Sequence, residues 1–94
     1  MSYHGTSYKN ARSIVKQGFK LAKGNQFAYG RGIYTTPDIG TAETYAESFE
    51  HRRERYRVII QCRVNPDNVY QYHNFWVSPG DRDVRPYALC VKKI

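Results

Sequence analysis

The chain has 94 residues and a net charge of +7, enough for one domain with one modest core and no separate regulatory unit. Its 40% hydrophobic and 24% charged residues are those of a folded soluble protein and exclude a disordered chain, and no stretch approaches the roughly 20 apolar residues of a membrane span. The charge favours anionic partners (nucleotide diphosphates, nucleic acid or acidic proteins), and nine tyrosines suit surfaces that stack planar ligands.

Met1 to His4 read as a short strand. Thr6 or Ser7 offers a hydroxyl cap to a helix, whose face is Ala11, Ile14, Val15 and Gly18. Gly18 ends that helix and Phe19 returns to the core. Residues 20–31 read as loop, closing with the run Tyr29-Gly30-Arg31-Gly32. Ile33 to Thr35 is a short strand. Pro37-Asp38 opens a second helix with Asp38 as cap, and Ala42, Tyr45, Ala46 and Phe49 form its repeating face. The stretch from Glu50 to Arg57 is highly charged.

Arg57 to Val64 is the clearest strand, with Val58, Ile60, Cys62 and Val64 on one side and Ile59, Gln61 and Arg63 on the other. Asn65-Pro66-Asp67 is a turn. Tyr72 to Ser78 is an aromatic-rich strand, Pro79-Gly80-Asp81 turns the chain, and Tyr87 to Ile94 is the last strand. The order implies an α+β fold, helices first and antiparallel strands after, over one domain, residues 1–94. Cys62 and Cys90 read as buried free thiols. No metal is expected, since no Cys-x-x-Cys pair exists. The opening residues lack the regions of a signal peptide, so the expected location is cytoplasmic or nuclear.

Three segments carry chemistry. Tyr3-His4-Gly5-Thr6 sits at a strand end before a helix, where glycine leaves backbone groups open to a planar ligand. The plainer reading of His4 is a turn cap. In Tyr29-Gly30-Arg31-Gly32-Ile33-Tyr34, Gly30 and Gly32 let the chain approach a ligand and a strand then presents Tyr34. Both common phosphate-cradle spacings are absent, and a hairpin turn is the plainer reading. In Thr41-Ala42-Glu43-Thr44-Tyr45-Ala46, Tyr45 shares the apolar face and reads equally as a core residue.

As an ordered set, His4-Gly5-Thr6, then Gly30-Arg31-Gly32-Ile33-Tyr34, then a helical Tyr45 resembles the catalytic core of poly(ADP-ribose) polymerases, which are diphtheria-toxin-like ADP-ribosyltransferases. Arg85-Pro86-Tyr87-Ala88-Leu89-Cys90 resembles that family's closing strand, so the resemblance spans nearly the whole chain. It implies a small ADP-ribosyltransferase fold, with antiparallel strands in a split sheet and two short helices, and NAD as substrate. It implies that His4 bonds a ribose hydroxyl, that Gly5 holds the nicotinamide carboxamide, and that Thr6 helps seat the adenosine end. Tyr34 and Tyr45 would sandwich the nicotinamide ring.

Two departures stand out. The family's helical serine, three residues before the tyrosine, is Ala42 here, with Thr41 adjacent. The family's strand glutamate aligns with Asn74, in His73-Asn74-Phe75-Trp76-Val77-Ser78, and asparagine is no base. The expected activity is therefore NAD-dependent mono-ADP-ribosyl transfer to a protein or nucleic-acid acceptor, with His4, Tyr34 and Asn74 as the catalytic set. Gly5, Thr6, Gly32, Tyr34, Thr41 and Tyr45 would bind the dinucleotide. One alternative is a pseudoenzyme that binds NAD or ADP-ribose. Another is a basic nucleic-acid-binding domain using His51, Arg52, Arg53, Arg55 and Arg57, although Glu50 and Glu54 interrupt that run and a solvated face explains it equally.

Overall fold

A computed structural model describes residues 1–20 and 32–94. Most of the glycine-rich loop expected over 20–31, including Tyr29, Gly30 and Arg31, lies outside the described residues. The elements are β1 (Ser2–Gly5), α1 (Tyr8–Gln17), β2 (Ile33–Thr35), α2 (Ile39–Tyr45), β3 (Phe49–His51), β4 (Glu54–Val64), β5 (Tyr70–Tyr72), β6 (Phe75–Ser78) and β7 (Val84–Lys93). The fold is α+β: among the described residues there are two α-helices, and antiparallel strands are divided between two sheets.

β4 organises the first sheet. β1 pairs with it from Ser2↔Cys62 to Gly5↔Ile59, and β3 from Phe49↔Tyr56 to His51↔Glu54. β7 pairs along its other edge, from Val64↔Val84 to Tyr56↔Lys93. A strand with neighbours on both edges and helices on both faces must be apolar on both sides. Val58, Ile60 and Cys62 face a core with Ala11 of α1, Phe19, Ile33 and Val84. Ile59 faces the other way, against Ala42 and Ala46 at α2. Burial pushes the Cys62 thiol up to about 12, as an inert packed thiol requires, while Cys90 is only half-buried. β2, β6 and β5 form the second sheet, in that order.

Local chemistry explains the helix ends. Ser7 accepts from Asn10 N–H at 3.2 Å and Asp38 accepts from Gly40 N–H at 3.0 Å, so both caps fall where short polar side chains are placed to receive orphan donors. Gly18 stops α1 at a φ of +77°, a region open to glycine. Val15 departs from the expected core face: it is 50% exposed, because α1 meets the core through Ala11 and Ile14. Phe49 is not helical. α2 closes at Tyr45, and Phe49 begins β3.

Three strand boundaries also differ from the sequence reading. The charged stretch after Phe49 is a β3–β4 hairpin whose turn residues, Arg52 and Arg53, have φ of 52° and 69°. Two positive φ values suit a type I′ turn, usually signalled by Asn-Gly, and nothing in Arg-Arg announces it. Aromatic packing supports the hairpin instead: Phe49 lies 5.8 Å from Tyr56 across the pair and stacks on Tyr8 at 4.4 Å. Tyr72 to Ser78 is not one strand. His73 and Asn74 form a tight turn between β5 and β6, with Tyr72 opposite Phe75 and His73 at φ 48°. The last strand begins at Val84, after a 3-10 turn over Asp81–Asp83.

Gly5 fixes how close α2 sits to the sheet. A Cβ there would lie 1.9 Å from the Ala42 carbonyl oxygen and 3.0 Å from Ala46 N, so any side chain forces the helix away. Gly5→Ala is expected to cost roughly 1–3 kcal/mol, as overpacking does, read as a lower urea midpoint. Gly40→Ala is the matched control, since its Cβ would meet the Asp38 carboxyl, with Oδ1 nearest at 3.4 Å. It should be neutral or stabilising, and equal losses in both variants would show that the β1–α2 contact is not the cause.

Candidate active site

A backbone bridge joins the two sheets. Tyr3 and Thr36 form an isolated antiparallel bridge, with Tyr3 N–H to Thr36 C=O at 2.7 Å and Thr36 N–H to Tyr3 C=O at 2.9 Å. Beyond it β1 and β2 part, and His4 spans the opening: its Nδ1–H donates to the Tyr34 carbonyl at 2.7 Å. A carbonyl can only accept, so this bond fixes the tautomer, with the proton on Nδ1 and a lone pair on Nε2. Among the described residues nothing bonds Nε2. The imidazole packs edge-on against Phe19, at 5.2 Å between ring centroids.

The opening widens into a cleft of about 370 Å³, at the lower end of the roughly 300–1,000 Å³ of small-molecule sites. Its walls are Tyr3, His4 and Gly5 from β1, Tyr34 to Thr36 at β2, and Ala42, Tyr45 and Phe75. Sequence periodicity makes Tyr45 a core candidate, yet it is 60% exposed while Ala42 on the same helix is 1% exposed. A large ring left open beside a cleft is free to meet a ligand.

The structure thus brings His4, Gly5, Tyr34 and Tyr45 together from three separate segments. It does not bring the other expected residues to the cleft wall. Thr6 Oγ1 accepts from Asn10 Nδ2 at 3.3 Å, and Thr41 Oγ1 donates to Asp38 Oδ2 at 2.8 Å. Gly32 is placed against β6, where a Cβ would lie 2.3 Å from Val77 Cγ1. Asn74 is exposed in the β5–β6 turn, and Phe75 reaches the cleft in its stead. The reason is the turn itself: a strand through residue 74 alternates faces, whereas a turn there puts Asn74 outside the ladder. Sequence reading missed Phe75, because an aromatic inside an aromatic-rich strand is an ordinary core signal.

No described carboxylate lines the cleft, and residues 21–31 contain no Asp or Glu. The acids are engaged elsewhere or stand apart from the cleft: Asp38 caps α2, Glu43 pairs with Lys92 at 2.7 Å, Glu54 pairs with Lys93, and Asp83 holds Asn65 and Asn68. No cluster of three potential metal ligands occurs among the described residues.

The sequence matches the family model of the poly(ADP-ribose) polymerase catalytic domain over residues 1–74. The chain belongs to that family, whose members use NAD as substrate to transfer ADP-ribose. No individual curated protein matches it.

Burial lowers the pKa of His4 from 6.5, outweighing the bond to Tyr34, which raises it. The unfolded chain therefore binds more protons below about pH 6.5, so the stability linked to His4 is full above that pH and declines as pH falls toward the lower folded value. His4→Asn keeps an N–H donor for Tyr34 and removes the titration. Between about pH 7.5 and pH 5 the parent should lose denaturation free energy more steeply than His4→Asn. Parallel slopes would mean that His4 gains no stability from being buried neutral.

Proposed function

We propose that this domain binds NAD with its nicotinamide end in the cleft, releases nicotinamide, and transfers one ADP-ribose to a protein or nucleic-acid acceptor. One observation carries the reading: His4, Tyr34 and Tyr45, far apart in sequence, share one cleft where the sheets part. A cationic aromatic ring gains from electron-rich faces, and Tyr34 and Tyr45 supply them. Nε2 of a neutral His4 accepts from a ribose hydroxyl and holds the sugar in one orientation. As the bond to nicotinamide lengthens, positive charge builds on the ribose, as in glycoside cleavage. Fixed dipoles that face this charge, the Nε2 lone pair among them, lower the barrier without reorganising. The net charge of +7 draws the dinucleotide inward.

The limit to a single transfer rests on the acids. Extending a chain needs a base near the acceptor hydroxyl: among the described residues no carboxylate lines the cleft, Asn74 in the turn is an amide, and Nε2 of His4 is engaged by the ribose hydroxyl in this reading. The same observation favours a second reading, in which the domain holds NAD or ADP-ribose and turns it over negligibly.

Nicotinamide release, followed by chromatography, separates the two readings. Under the first, the parent releases nicotinamide and labels an acceptor with single ADP-ribose units by mass spectrometry. Tyr45→Ala leaves no cavity, because the ring is exposed, and should weaken NAD binding by about 0.5–1.5 kcal/mol, the worth of an aromatic contact. His4→Asn should bind NAD and release little nicotinamide. Nicotinamide release at the parent rate in His4→Asn would remove His4 from the chemistry. NAD binding without any release in the parent would leave the reader function.

A further inference from the structure

β7 pairs with β4 along one edge, and among the described residues no strand pairs with its other edge. The register shows where its backbone groups point. Ile94 N–H donates to the Arg55 carbonyl at 2.9 Å, and hydrogen-bonded and non-bonded pairs alternate along an antiparallel ladder. Leu89, Val91 and Lys93, opposite Ile60, Val58 and Tyr56, therefore turn their N–H and C=O groups outward. Such an edge is a template for another strand.

The side chains of that edge divide by face. Leu89 and Val91 lie beside Ile60 and Val58 on the face of the larger core. They are 45% and 61% exposed, while Ile60 and Val58 are 0% and 1% exposed, so α1 covers β4 and leaves this apolar row bare. A bulge then shifts the faces: Gln61 meets Ala88 and Cys62 meets Pro86, so Tyr87 has no counterpart on β4. Beyond it Arg85 lies opposite Arg63, on the α2 face of β4 with Ile59. Lys92 lies opposite Arg57 on that same face. Glu43 holds Lys92 at 2.7 Å and so offsets one of the two charges at that end. At the other end Arg63 packs over the Tyr87 ring at 4.5 Å. Among the described residues no carboxylate pairs with Arg63 or Arg85, although like charges directly opposite are unfavourable.

This edge thus offers outward backbone groups, an apolar row on one face and cations on the other. An extended segment that alternates apolar and acidic residues matches all three, since successive side chains of a strand point to opposite faces. A second copy of this chain is a poorer occupant. Its β7 contains no acid and would bring Arg85, Lys92 and Lys93 against the same charges, between molecules of +7 each. We propose that the open edge of β7 docks an acidic, alternating segment of a partner protein as an added antiparallel strand. Its apolar side chains lie on Leu89 and Val91, and its carboxylates face Arg85 and Lys92. The proposal does not depend on NAD binding in the cleft.

A capped peptide of about ten alternating Val and Glu residues, the upper length of an ordinary strand, tests it beside a Val–Lys control. The glutamate peptide should bind the 94-residue chain, bind less as salt rises, and slow hydrogen exchange at the amides of Leu89, Val91 and Lys93. Val91→Pro removes an outward donor and takes none from the β4 ladder, and Arg85→Glu reverses an exposed charge. Each should weaken binding roughly three- to tenfold. Equal binding of the lysine peptide, no binding of the glutamate peptide, or binding without slower exchange at those amides would overturn the proposal. Unchanged affinity in either folded variant would do the same. A dimer of the free chain in sedimentation that excludes the peptide would give the edge to a second copy instead. If Val91→Pro fails to fold, Arg85→Glu and the parent's exchange pattern decide.

Discussion

The bond from His4 Nδ1–H to the Tyr34 carbonyl, at 2.7 Å, is the constraint around which the molecule is arranged. β1 and β2 share a bridge at Tyr3 and Thr36 and then diverge. A carbonyl in a widening gap needs a donor, or it is left desolvated without a partner. His4 is that donor. The imidazole therefore joins the two sheets, sits at the apex of the cleft, and is held in the one tautomer that leaves an acceptor available. One side chain thus takes part in the junction, the cleft wall and the candidate chemistry.

A second close contact sets the floor. Gly5 has no side chain, and α2 packs onto β1 at the Ala42 carbonyl. That approach brings Tyr45 over the cleft and lets Ala42 and Ala46 cover Ile59. In sequence, Gly5 reads as leaving backbone open to a ligand. In the fold its first duty is to admit a helix, and the cleft residues beside it follow from that packing. Function and packing are coupled at adjacent positions, as expected where one small core must do both.

Much of this was legible in the sequence. The period-two pattern of β4 is so regular that its faces are readable from the residues, and both cores form on them. The cap at Asp38 and the stop at Gly18 are equally plain, and the first cap is narrowed to Thr6 or Ser7, because each depends on a few adjacent residues. The hairpins were not. Arg52-Arg53 lacks the residues that usually mark a tight turn, and the turn at His73–Asn74 divides a run whose composition is continuous strand. These turns are imposed by pairing partners far along the chain, which local composition does not report. The same gap misplaced the cleft residue of the second hairpin: ordered motifs led to His4, Tyr34 and Tyr45, but the side of the turn that meets the cleft was decided by the register of β6 on β2.

The register has a chemical consequence. With Asn74 outside the ladder and Phe75 facing inward, that side of the cleft is aromatic. Apolar walls exclude water and strengthen the few polar contacts that remain, since a fixed dipole acts more strongly in a medium of low dielectric. They also give an incoming nucleophile no assistance with its proton. Under the proposed function, a site built this way favours holding the cationic ring and its ribose over handling the acceptor. Under that function His4 and the fixed geometry around it promote leaving-group departure, while capture of the resulting charge depends on how reactive the acceptor already is. Acceptor choice, under the proposed function, then falls to groups outside the cleft, and the β3–β4 hairpin, with Arg52 and Arg53 exposed at its tip, presents positive charge there.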